Sequence, residues 1–128
     1  MKIAIAGASC FIGKKLAQAA SNKNWDVIAI VRDKAKLSNN LSALQNVHVI
    51  ECNMDEYESL GNKLRCVDCF IYLTWDGRRG EARNDHIRQE HSYRCGMAAV
   101  KSVIANGCKK IVTVGSQAEY GLNVYISQ

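Results

Sequence analysis

The segment Gly7-Ala8-Ser9-Cys10-Phe11-Ile12-Gly13 has the residue types and spacing to do chemistry on a phosphate. It follows the apolar run Lys2 to Ala6 and leads into a segment, Ile12 to Ala20, with helical patterning. In that setting the first glycine allows a tight turn, the last lets helix and strand pack closely, and the free N–H groups of the helix start face an anion. An ordinary strand-to-helix turn is the bland alternative. The strand context at the head of the chain favours a dinucleotide pyrophosphate, with Gly7, Ser9, Cys10, Phe11, Ile12 and Gly13 as the candidate contacts.

A dinucleotide site also needs a group for the adenosine ribose, about 20 residues beyond the loop at the end of the second strand. Val31 stands there, followed by Arg32. With no carboxylate to take the ribose hydroxyls, and a guanidinium able to grip a 2'-phosphate in bidentate fashion, the choice between NADP and NAD leans to NADP. Asp33 is the residue that would restore NAD, and a solvated Arg32 at a strand end is the alternative. Cys66-x-x-Cys69 suggests zinc or redox chemistry, but no second Cys or His pair stands at ligand spacing, and the pair runs into the apolar Phe70-Ile71-Tyr72-Leu73. A strand-associated structural role is expected and no metal site.

The elements that must position these residues are short apolar runs alternating with longer polar or amphipathic segments. The runs are Lys2 to Ala6, Asp26 to Val31, Val47 to Glu51, Val67 to Leu73 and Lys110 to Val114. Being nearly continuous in apolar residues, they suit strands covered on both faces. Ile12 to Ala20, a poorer segment Lys34 to Leu44, Asp55 to Leu64 and a long stretch from Asn84 to Ala105 lie between them. The long stretch carries Met97, Val100 and Ile104 at helical spacing and ends in Asn106-Gly107, a left-handed C-cap. Right-handed crossovers then predict an α/β fold, a Rossmann-type doubly wound parallel sheet in the order 3-2-1-4-5, with ligands at the strand ends near the switch between the first and fourth strands.

The bulk composition fits one soluble domain. The chain has 128 residues, 48% hydrophobic and 23% charged, and no apolar run approaches the roughly 18 residues of a membrane span. Its start is too short in apolar length for a signal peptide, and its six cysteines come without a disulfide-scaffold texture, so reduced thiols and a cytoplasmic home are expected. A net charge of +5 could point to nucleic acid, but the cations are scattered and lack aromatic interleaving, so no nucleic-acid or membrane partner is expected. A phosphorylated small ligand accounts for them as well.

With these residues in place, the sequence resembles the extended short-chain dehydrogenase/reductase superfamily, specifically its NAD-dependent epimerase/dehydratase members, whose loop runs Gly-x-x-Gly-x-x-Gly. Cys10 replaces the middle glycine. The resemblance implies that Asn53-Met54 stand at the adenine, where the family has Asp-Leu or Asp-Ile. It places Leu73-Thr74 beside the nicotinamide ribose, and Trp75 in a position that the family keeps small, as a lid or as a surface anchor. It puts Ser92 at the position of an Asn that helps hold the active site, and it gives the arginines Arg78, Arg79 and Arg83 a nucleotide diphosphate to bind, with solvated charges as the alternative for most of them. Val114-Gly115-Ser116-Gln117-Ala118-Glu119-Tyr120-Gly121 matches the family's Ser-Ser-x-x-x-Tyr-Gly element, which makes Ser116 a catalytic residue that hydrogen-bonds substrate. By spacing alone Ser116 is a turn residue.

The family's proton carrier, the Tyr of a Tyr-x-x-x-Lys motif, has no match: Tyr125 is too near Ser116 and has no lysine after it, and Tyr120 belongs to the serine element. The expected function is therefore an NAD(P)-binding domain similar to nucleotide-sugar epimerase/dehydratase oxidoreductases, catalytically incomplete as this chain, with a nucleotide-diphosphate sugar as substrate class. A homodimer through the long helix 84–105 is the expected assembly. A non-catalytic NADP-binding sensor, and a degenerate remnant that binds no nucleotide, are the alternatives.

Overall fold

The computed structural model describes residues 1–75 and 85–114. The elements are β1 (Lys2–Ala6), α1 (Phe11–Asn22), β2 (Asp26–Val31), α2 (Asn39–Ser42), β3 (Val47–Glu51), α3 (Leu60–Lys63), β4 (Cys69–Tyr72), α4 (His86–Ala105) and β5 (Lys110–Thr113), with 3-10 turns at Lys34–Lys36 and Met54–Ser59. The five strands form one sheet in the order β3-β2-β1-β4-β5, every pair parallel. This is the doubly wound sheet that the alternating pattern predicts.

Because successive residues of a strand face opposite sides, each strand feeds two cores. Ala4, Ala6, Ile28, Ile30 and Phe70 pack with Tyr57, Leu60, Ala99 and Val103 on the α3/α4 side. Ile3, Ile5, Val27, Ala29 and Val31 pack with Ala17, Ala20, Leu37 and Leu41 on the α1/α2 side. The buried stripe of α1 is small, Gly13, Ala17, Ala20 and Ser21, so the helix lies close on the sheet. Toward β4 and β5 the same side of the sheet carries an apolar groove of about 290 Å³ lined by Leu16, Trp25, Ile71 and Val112 among others.

The long helix is bounded by local chemistry. Asp85 caps its start by accepting from the N–H groups of Ile87 and Arg88. At its end Gly107 takes φ +97°, and its N–H and that of Cys108 reach back to the carbonyls of Ile104 and Val103, the paired closure of a Schellman motif. Two expected segments are shorter and tighter than their patterns suggest. Lys34 to Leu44 splits into a 3-10 turn and one turn of α2, and Asp55 to Leu64 into a 3-10 turn followed by α3. The second is held against α4 at Gly61, whose N–H donates to Ser102 Oγ at 2.7 Å and where any Cβ would collide with the Ser102 carbonyl. The fourth strand begins at Cys69 rather than Val67 because Cys66, at φ +63°, turns the chain first.

All six cysteines are free thiols. Among the described residues no helix is long and apolar enough to cross a membrane.

Also among the described residues, the Tyr72 hydroxyl is buried without a hydrogen-bond partner. Burial pushes its pKa above the ordinary tyrosine value of 10.0, and neighbouring Tyr57 and Cys95 add to the shift. An unpaired buried hydroxyl costs about 1 kcal/mol or more, so Tyr72→Phe is expected to raise the melting temperature by about 3–6 °C. The sign with pH is also set. A raised tyrosine pKa leaves stability intact below the unfolded value near 10 and erodes it as pH rises beyond that. The advantage of the Phe variant should therefore widen in thermal melts above that pH.

Candidate functional site

At the carboxyl ends of the strands the chain encloses a crevice of about 1010 Å³, large for a small-molecule pocket. Its base is the turn from β1 into α1. Gly7 sits at φ +89°, a region L side chains rarely adopt, and a Cβ there would stand 3.2 Å from Thr74 Oγ1. At Gly13 a Cβ would collide with the carbonyl of Gly7 and lie 2.8 Å from Ala8 Cα. The two glycines are thus required by the close approach of helix, loop and the segment that follows β4.

Cys10 is tolerated at the centre of the loop because its backbone is extended, φ −77° and ψ 169°. It is the N-cap of α1: its Sγ accepts from the Gly13 N–H at 3.3 Å, and its carbonyl takes the Lys14 N–H. A thiol is a weak acceptor, so this cap is easily exchanged for an anion. The N–H groups of Phe11 and Ile12, which have no carbonyl one turn earlier within the helix, complete the positive end of α1.

The expected cofactor residues largely converge. Gly7, Ser9, Cys10, Phe11, Arg32, Asn53, Met54, Leu73 and Thr74 line the crevice. Gly13 is buried beneath it, and Ile12, about half exposed, is not among the lining residues. Ser92 is fully buried within α4 and is not among the lining residues. Ser116, Tyr120 and Tyr125, and the arginines Arg78, Arg79 and Arg83, lie outside the described residues.

The β2 end bears on the choice of nucleotide. Arg32 and Lys36 both face the crevice, whereas the Asp33 carboxylate turns away to accept the Ala35 N–H at 3.0 Å, capping the 3-10 turn. Trp75 lines the crevice and donates its indole N–H to Gln89 Oε1 at 2.7 Å, so the ring is tied to α4. Tyr57 and Thr74 share a hydroxyl hydrogen bond of 3.1 Å at the floor. Burial pushes the Tyr57 pKa up, partly opposed by that bond, which keeps the phenol neutral.

Sequence reasoning missed Lys36, Cys52, Asp55, Tyr57, Arg88 and His91 as crevice residues. The one available signal was the three-residue spacing of Arg88 and His91 on the long helix, which puts both on one face.

A glycine-bounded helix start and a cationic strand end around one crevice, at the switch point of a parallel sheet, define a dinucleotide-binding class of α/β fold. The profile of the NmrA-like family matches residues 1–117, and the chain belongs to that family. No curated protein matches it in sequence. Its fold is shared with MoeE5, solved with UDP-glucuronic acid and NAD (TM-score 0.80, 16% identity, 94% of this chain and 38% of that one). A UDP-galactose 4-epimerase is similar (0.77, 14%, 94% and 40%), as is the oxidoreductase ylbE from Lactococcus lactis (0.68, 20%, 95% and 53%). The chain thus spans between 38% and 53% of the length of these structures.

Replacing Gly13 by Ala should cost about 2–3 kcal/mol, since a backbone carbonyl must move to admit the methyl. Chemical denaturation would measure this, and a loss under 0.5 kcal/mol, roughly the size of a neutral surface change, would contradict the packing described.

Proposed function

We propose that the chain is an NAD(P)-binding module of an oxidoreductase of the epimerase/dehydratase type, with NADP(H) preferred. The observation that carries this is the meeting of the α1 N-terminus at Gly7 to Gly13 with Arg32 and Lys36 around one crevice. The N–H groups of Phe11 and Ile12 would hold the pyrophosphate, with Cys10 Sγ yielding the Gly13 N–H. Arg32 and Lys36 would take a 2'-phosphate, Asn53 and Met54 the adenine, and Leu73 and Thr74 the nicotinamide ribose. When bound, the dinucleotide would give or accept hydride. Ser116 is proposed to hydrogen-bond a substrate hydroxyl or carbonyl. The nucleotide sugars named with structural relatives support that substrate class, with the cytoplasm as the setting.

The proposed assembly is a homodimer through α4. Tyr93, Met97 and Ile104 are exposed on that helix, and with the part-buried Val100 they fall at spacings of three and four residues, one stripe along the helix.

Trp75 favours a second reading, NADP binding without turnover. Its bulky ring, tied to Gln89, occupies a place where small residues are expected to make room for the nicotinamide ribose. Binding of NADPH with no hydride exchange towards any nucleotide sugar would select this reading over the first.

Thermal shift and tryptophan fluorescence titrations with NADPH and NADH test both. NADPH is expected to bind more tightly, and Arg32→Ala to weaken NADPH by about tenfold, the loss of one charge-assisted hydrogen bond, while leaving NADH unchanged. Cys10→Gly should tighten NADPH several-fold at nearly constant melting temperature, because glycine caps a helix almost as well. If neither dinucleotide shifts either signal in the wild type or in Cys10→Gly, the reading fails.

A further inference from the structure

Where the 3-10 turn after β3 meets α4, three chemically different donors converge. Asp55 Oδ1 lies 2.6 Å from His91 Nε2, and Cys95 Sγ lies 3.5 Å from the same nitrogen. The three donor atoms fall within 4.8 Å of one another. His91 and Cys95 are one helical turn apart on α4 and so share a face, while Asp55 is delivered by the turn packed against it. Neither sequence position nor local pattern joins Asp55 to the other two; the α4 contact does.

An ion pair alone explains this poorly. Asp55 and His91 are both substantially exposed, and such a pair adds at most about 1 kcal/mol. Nε2 carries at most one proton, so it cannot donate to the carboxylate and to the thiol on equal terms. A single cation satisfies carboxylate, imidazole and thiolate together. In a tetrahedral zinc site, metal–ligand bonds of about 2.0–2.3 Å put donor atoms about 3.4–3.6 Å apart. The Sγ to Nε2 distance already has that value, and the exposed Asp55 carboxylate has to move by on the order of 1 Å, out from Nε2 and into ligand spacing with Cys95 Sγ.

We propose that Asp55, His91 and Cys95 form a three-ligand site for a divalent transition-metal ion, with Zn²⁺ the best match to an N, O and S donor set. Two of the ligands, Asp55 and His91, stand on the crevice wall, so the fourth coordination position opens to the crevice and takes water or a ligand atom. Binding requires an unprotonated Nε2 on His91 and the Cys95 thiolate, and the displaced protons go to solvent.

Co²⁺ titration of the full chain, reduced with a non-thiol reductant and stripped of metal, tests the site independently of any dinucleotide. The expected result is a near-ultraviolet thiolate-to-cobalt charge-transfer band with the intensity of one thiolate, saturating at one equivalent and displaced by Zn²⁺. Cys95→Ser should abolish the band, and His91→Ala, an exposed change that leaves the core intact, should weaken Co²⁺ binding by at least about tenfold. Cys66→Ser should leave it unaltered. Absence of the band at one equivalent overturns the proposal. So does a band that survives Cys95→Ser, or one that disappears with Cys66→Ser, since the metal would then sit on the Cys66-x-x-Cys69 pair.

Discussion

The close approach of α1 to the end of β1 is the constraint on which the rest of the structure depends. The backbone of Gly7 turns at a positive φ, and Gly13 sits so near the Gly7 carbonyl that no side chain fits between them. Small residues continue the contact along α1, so the helix rests low on the sheet with its N-terminus at the switch between β1 and β4. The crevice exists because the chain turns away on either side of that point, into α1 on one face of the sheet and into α4 on the other.

Once that geometry is in place, charge and shape follow from what each strand end carries. The helix start contributes partial positive charge, and Arg32, Lys36 and Arg88 outnumber Asp55 among the charged residues around the same space. The balance of charge there is positive. Cys10 fits at the helix start because its extended backbone sends the thiol onto the first turn of α1, where it serves as the capping group. Asp33, by turning to cap its own loop, leaves the β2 end cationic.

Much of the fold was legible because burial on both faces writes itself as continuous apolar runs. β1, β2 and β3 fall on their expected bounds, and the end of α4 is marked by Asn106-Gly107. The segments around Lys34 and Asp55 were less legible, since each is shaped by a contact with a distant element. Glu51 Oε1 accepts the Lys34 N–H, and Ser102 of α4 receives Gly61.

The amino-acid sequence by itself determined the glycine-bounded loop, the strand order and the cationic residue after β2. Those depend on local backbone geometry, on period, and on the handedness of crossovers, all of which act over short stretches of chain. Tertiary structure alone decided which face each side chain serves. It tied Trp75 to Gln89, set Tyr57 beneath Thr74, and brought Asp55 to His91 and Cys95. Residues tens of positions apart meet only because α4 lies across the turn after β3, and that contact is settled by how the buried faces of both elements fill one core.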